Sequence, residues 1–184
     1  VGDHVRVTGK VREKSRQTLL DVQTPTQDIR ILDTGVALPD PVELDPPEDD
    51  GSAATYYEAL EGMLVQVGDP AVAVAPTNQY GEYALVRPEW EQTHIMRDAP
   101  SGMLIFVDDG SSIAHENGVT LPYAVKTGDM VGDLLGPLAY TYDNYKIQPH
   151  YHAHRDSGGS PPARDGPHAA QRVEYRHLQR GEFL

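Results

Sequence analysis

Apolar and polar residues alternate in short runs along most of this chain, and a period of two is the signature of a half-buried β-strand. Val5, Val7 and Val11 begin the pattern, Leu20 and Val22 form a second short strand, and Ile29 with Ile31 a third. Further on, Met63 to Val67, Ala71 to Ala75 and Glu82 to Val86 read as strands, the last with Tyr83 and Leu85 on one face. Met103 to Val107 is the most hydrophobic run and is expected at the centre of a sheet. Ala53 to Leu60 is the one helical segment, with Tyr56, Tyr57 and Leu60 sharing a face and Gly62 ending it. The segment from Pro88 to Ala99, with the sole Trp90, reads as an irregular loop. About five or six strands between Gly62 and Pro149, with so little helix, predict an all-β fold of the small closed-barrel kind.

The stretch from Gly128 to Pro149 organises the rest. A Gly-Asp turn opens it, Gly136-Pro137 bends it, Leu138, Tyr140 and Tyr142 alternate, and Asp143-Asn144 turns the chain into Tyr145-Lys146-Ile147. Both turn residues tolerate left-handed backbone angles, so a β-hairpin is expected. The same phrase opens the chain: Gly2-Asp3-His4-Val5 matches Gly128-Asp129-Met130-Val131. A second glycine follows each, Gly9 in one copy and Gly136 in the other, with one more residue between the pair in the later copy. That offset is expected to be a β-bulge in a repeated unit. The chain is therefore divided into residues 1–44, the C-terminal part of a first barrel; 45–55, an acidic proline-rich linker containing Pro46 and Pro47; 56–149, a complete barrel; and 150–184, a tail. Val1 is not a start methionine, and the first copy begins abruptly, as a fragment entering a domain partway would.

Composition narrows the partners. The 184 residues carry a net charge of −13 and no cysteine, which excludes disulfides and thiolate metal sites. Residues 1–150 hold 10 Lys and Arg against 24 Asp and Glu, which opposes tight polyanion binding by the overall surface. No apolar run approaches the ~20 residues of a membrane span.

Several stretches in this order resemble one family. Tyr57-Glu58-Ala59-Leu60-Glu61-Gly62-Met63-Leu64-Val65, the Tyr80-Gly81-Glu82 turn, Val107-Asp108-Asp109-Gly110-Ser111, and Gly128-Asp129 through Tyr145-Lys146-Ile147-Gln148-Pro149 resemble the non-catalytic region of bacterial extracellular nucleases. The resemblance covers roughly residues 1–149. It implies an OB-fold-like barrel ahead of an endonuclease/exonuclease/phosphatase domain in a secreted or cell-surface bacterial protein. It implies too that the nuclease domain hydrolyses phosphodiesters with a divalent metal (Mg, Mn or Ca) and holds all the catalytic residues, so this part of the chain carries none and needs no cofactor. The partners implied are the C-terminal nuclease domain of the same polypeptide and DNA.

Residues 150–184 depart from that pattern. Permitted codons for His177 to Leu184, read one base later, spell Thr-Phe-Asn-Val-Glu-Asn-Phe, which resembles the opening strand of that nuclease domain. The tail is accordingly expected to be frameshifted, unselected and disordered.

Candidate chemistry is sparse. Tyr80, Tyr83, Tyr140, Tyr142 and Tyr145 with Lys146 could form a stacking platform for single-stranded nucleic acid, each base contributing about 1–3 kcal/mol. Tyr140 and Tyr142 share a face with Leu138 and belong with the core, leaving Tyr80, Tyr83, Tyr145 and Lys146 as the contact set. Arg12, Lys14 and Arg16 form a small basic hairpin tip able to touch phosphate. Asp108 and Asp109 could hold a divalent cation, although Asp-Gly after an apolar strand is foremost a turn signal. The His150, His152, His154 alternation would place three imidazoles on one strand face, a weak zinc or nickel pattern. No nucleophile–base pair or phosphate-binding glycine loop is present. Two other classes stay open: a structural or surface-adhesion β module without a nucleic-acid role, and an autonomous hydrolase using Asp108, Asp109 and histidines.

Overall fold

A computed structural model describes residues 2–95, 101–116, 121, 123–149 and 154–156. Strands dominate, as the alternation requires, and helix is confined to 14% of the described residues. The N-terminal part holds β1 (His4–Val7), β2 (Lys10–Lys14), β3 (Gln17–Asp21), the single turn α1 (Pro25–Asp28) and β4 (Ile29–Asp33). Within it β1 pairs with β4 and β2 with β3, both antiparallel, as separate two-stranded sheets. The remainder holds β5 (Val42–Glu43), α2 (Asp50–Leu60), β6 (Leu64–Val67), β7 (Ala71–Ala75), β8 (Tyr83–Val86), β9 (Ile105–Val107), β10 (Met130–Gly132), β11 (Leu134–Thr141), β12 (Asn144–Ile147) and β13 (His154–Asp156). These strands build one nine-stranded sheet in the order β13-β10-β7-β8-β9-β12-β11-β6-β5. The order is open, so the all-β fold is met while the small closed barrel is not: β5 and β13 lie at opposite ends of the sheet.

Helix α2 forms where Asp49 caps it, its carboxylate accepting the Ser52 N–H at 2.9 Å, and it ends at Gly62, whose φ of 74° suits glycine. Ala53 and Tyr57 turn inward onto Val65, Val67, Leu134, Leu138 and Ile147. A second core of Val74, Ala84, Val86, Met103 and Leu104 packs with Trp90 and Phe106. The two cores explain why all four residues of β8 are buried, where simple alternation would leave every second one in water. Trp90 ends a 3₁₀ turn, Pro88–Trp90, inside the stretch expected to be irregular.

The expected linker, 45–55, is instead part of the module. Leu44 and Pro46 are fully buried, Tyr56 Oη accepts the Asp45 N–H at 2.9 Å, and α2 begins at Asp50. Prolines here fix an extended path across the core, so their presence does not signal a loose tether. Of the expected tail, only His154–Asp156 are among the described residues, and they pair antiparallel with β10.

The hairpin turn falls one residue earlier than its Asp-Asn dipeptide suggests. Tyr142 and Asp143 have φ of 48° and 63°, and Thr141 faces Asn144 across the turn. The buried pair Leu138↔Ile147 sets the register, and a two-residue turn with both φ positive matches the twist of the strands it joins. Tyr142 thus stands at the tip, 85% exposed, and not on the core face.

The first copy has the same geometry. Ser15 and Arg16 form its turn with φ of 53° and 62°, flanked by the pair Lys14↔Gln17. Gly2 and Gly128 open the two copies at φ of 86° and 89°. A Cβ on Gly9 would lie 2.7 Å from the Asp21 carbonyl oxygen, and one on Gly136 would overlap the Gln148 carbonyl. The extra residue of the later copy falls at the β10–β11 junction, where Asp133 takes φ of 56°.

Gly136→Ala is expected to cost about 3 kcal/mol, because the backbone of Gln148 must yield. Gly35→Ala, whose Cβ would meet nothing within 4 Å, should cost only about 1 kcal/mol of left-handed strain. Urea denaturation of the two variants checks the difference.

Candidate functional site

Two features beside β12 concentrate polar chemistry, one on each face. Successive strand residues point to opposite sides, so Tyr145 looks toward α2 while Lys146 looks the other way.

On the α2 side a groove of about 730 Å³ opens between α2, the tip of the β2–β3 hairpin and the β11–β12 turn. Its floor is aromatic. Tyr145 stacks on Tyr57 with centroids 5.6 Å apart, and Tyr140 meets Tyr145 edge-on at 4.8 Å. Tyr57 donates its hydroxyl to the Leu104 carbonyl at 2.7 Å, and Tyr145 donates to the Glu58 carboxylate. Burial pushes both phenols well above their ordinary pKa, and at Tyr145 the Glu58 contact adds to it. The rim carries Glu13, Asp50, Glu58 and Asp143 against one cation, Arg16. Arg16 lies 3.4 Å from the Tyr140 hydroxyl and 3.7 Å from Asp143. An aromatic floor under carboxylates favours a cation and opposes a phosphate.

On the other face Lys146 is 2% exposed and bonds both Glu82 and Asp108, the latter at 3.3 Å. Burial raises the Glu82 carboxyl, but hydrogen bonds from Lys146 and Asn78 outweigh it, and its pKa falls below the ordinary value. Next to it, Asp109 Oδ2 lies 2.9 Å from His115 Nε2, and Tyr123 donates to the Gly81 carbonyl at 2.7 Å. Asp108 Oδ1 also accepts the Gly110 N–H at 2.7 Å, and Asp109 Oδ1 the Ser111 N–H at 2.8 Å. All four oxygens of this pair are therefore engaged within the protein. Asp108-Asp109 forms the turn that its Asp-Gly sequence signals, and among the described residues no group of three or more His, Asp and Glu is placed to hold a metal. His150 and His152 lie outside the described residues.

The nominated nucleic-acid contacts do not converge. Tyr83 is 3% exposed and packs edge-on against Tyr123 at 5.4 Å, so neither it nor Lys146 can offer a surface to a base. Tyr80 is exposed on a separate turn, whose shape comes from its N–H bonding the Asn78 side chain at 2.8 Å. Tyr145 and Arg16 do share the groove, facing its carboxylates. Arg12 pairs with Asp21 at 2.6 Å, and Lys14 is exposed beside it on β2. Alternation on β2 places Lys10, Arg12 and Lys14 on one face.

Sequence reasoning gave Glu58, Glu82 and Arg87 no role and left His115 isolated in a loop, where it instead meets Asp109. Arg87 is 6% exposed and ties β5 to the core through the Leu44 carbonyl at 2.8 Å and the Glu43 carboxylate. A charged residue ending the wholly apolar strand Tyr83–Val86 was the available signal for it.

An open all-β module with an aromatic, acid-rimmed groove is thus the class defined here. The chain belongs to the family described as a domain of unknown function (DUF8508), whose model matches residues 20–156 and so ends with β13. No curated protein and no solved structure matches it.

Lys146→Met is expected to destabilise the module by about 3–5 kcal/mol at pH 7, since it leaves two carboxylates without their cation. Glu82, with a lowered folded pKa, contributes stability that is present above its unfolded pKa and lost as pH falls through its folded value. Loss of Lys146 removes that contribution, so the gap between wild type and variant should narrow as the pH is lowered past both values, measured by urea unfolding at pH 7 and in stronger acid. Tyr57→Phe should cost about 1–2 kcal/mol by leaving the buried Leu104 carbonyl unpaired.

Proposed function

We propose that this chain is a non-catalytic accessory region of a secreted, metal-dependent bacterial nuclease, positioning the catalytic domain of the same polypeptide or its nucleic-acid substrate. One observation carries the reading. The stretches that resemble extracellular nucleases are the parts of a single module: the α2–β6 corner, the Tyr80 turn, the Asp108-Asp109 turn beside Lys146, and the β10–β12 hairpin. The divalent metal and the phosphodiester chemistry belong, on this reading, to the nuclease domain.

Charge decides where nucleic acid could be met. Residues 37–149 hold 4 Lys and Arg against 19 Asp and Glu, whereas residues 2–36 hold 6 against 5. Contact therefore falls on the Lys10, Arg12 and Lys14 face of β2, and the tyrosine groove takes no part. The strong negative charge of residues 37–149 favours a second reading, a structural or surface-adhesion module that never meets nucleic acid.

Titration of labelled single-stranded DNA with residues 1–184 separates the two. The expected result is binding on the order of 10 µM or weaker at low salt, with a log–log salt slope of about −2 from some three phosphate contacts. Arg12→Ala with Lys14→Ala should abolish it, and Tyr145→Phe should leave it unchanged. No binding at low salt would favour the second reading, and cleavage of DNA by this chain with magnesium or manganese would overturn the non-catalytic assignment.

A further inference from the structure

The two hairpins differ in one respect, and it is large. Position by position, Val5 matches Val131, Val11 matches Leu138, and Leu20 matches Ile147. The pairing is shared: Val11 faces Leu20 as Leu138 faces Ile147. In the later copy all three are buried, at 0%, 1% and 0% exposure. In the first they are 42%, 75% and 42% exposed, with Ile31 at 62% beside them. The returning strand is matched as well, because β4 lies on β1 as β13 lies on β10.

Most of what buries the later copy comes from one part of the chain. Leu138, Ile147 and Val131 pack among Leu44, Tyr57, Val65, Ala73, Leu85 and Ile105, all within residues 42–107, and Val125 and Tyr123 add to the same core. The same part fills the strand edges: β6 pairs with β11, β9 with β12, and β7 with β10. In the first copy the corresponding edges of β2, β3 and β1 carry no strand among the described residues. Apolar residues in register on strands with open edges form a half-built sheet, and such a surface asks for strands.

We propose that residues 2–36 are the closing half of another module of this same fold, completed by a helix-and-strand half equivalent to residues 42–107 and lying ahead of Gly2 in the same polypeptide. Chain order sets the place of the occupant, because in the later copy the covering half precedes Gly128. The occupant must present an apolar face to Val5, Val11, Leu20 and Ile31, and three strands: antiparallel to β1, antiparallel to β2 and parallel to β3. The chain is then a segment of a tandem array in which each Gly-Asp turn marks the passage from the first half of a module to its second. The inference stands independently of any nucleic-acid role.

The test reads the coding DNA ahead of the Val1 codon and compares amide hydrogen exchange in residues 1–184 with that in the polypeptide lengthened by the stretch encoded there. The expected result is an open frame with a capped helix followed by short apolar strands in the order of α2 and β6–β9. In the lengthened polypeptide the amides of β1, β2 and β3 should exchange at least tenfold more slowly than in residues 1–184. Val11→Asp should abolish that protection in the lengthened polypeptide while leaving exchange in residues 42–149 unchanged. An in-frame stop close ahead of Val1, an upstream stretch without that pattern, or unaltered exchange of residues 2–36 would each overturn the proposal. So would protection of Val11 and Leu20 gained through self-association of residues 1–184 alone, which would make a second copy the occupant.

Discussion

The cross-strand pair Leu138↔Ile147 is the contact on which the module depends. It sits in a hairpin inserted between β6 and β9, strands that do not pair with each other. Without it the nine-stranded sheet separates into two, and α2 loses most of the floor beneath Tyr57. The hairpin lies flat enough to enter because Gly136 has no side chain against the Gln148 carbonyl. Its turn is held by positive φ at two non-glycine residues, a cost accepted because only that turn lets the buried pair keep its register.

From that hairpin the polar chemistry follows by alternation. Tyr145 and Ile147 face the core, so Lys146 between them must face away, into space already walled by β8 and the Asp108 turn. A lysine there is tolerable only with carboxylates within reach, and Glu82 and Asp108 provide them. The tyrosine groove follows similarly, since Tyr57 and Tyr145 stack where the helix crosses the hairpin.

The structural unit is larger than the hairpin and smaller than the chain. A first half of helix and strands, 42–107, leaves strand edges that the second half, 128–156, closes. The same second half appears in residues 2–36 with its apolar positions still open to water.

The sequence by itself determined where most of the strands lie, because a period of two is a local property of the chain; β13 lies in a stretch where no such period was legible. It also showed that the Gly-Asp phrase repeats, since both copies need a left-handed glycine at the same point. Which strands are neighbours was decided only by tertiary structure, as was the openness of the sheet, because local alternation carries no information about non-consecutive pairing. Burial was decided there too. Val11 and Leu138 occupy the same position of the same hairpin, yet one is 75% exposed and the other 1%, according to whether a covering half is present. Tyr83 and Lys146 looked available to a ligand for the same reason, and burial of their own side chains removed them. Glu82, Asp108 and Lys146 come from distant parts of the chain, and only the folding of β8, β9 and β12 side by side made one ionic cluster of them.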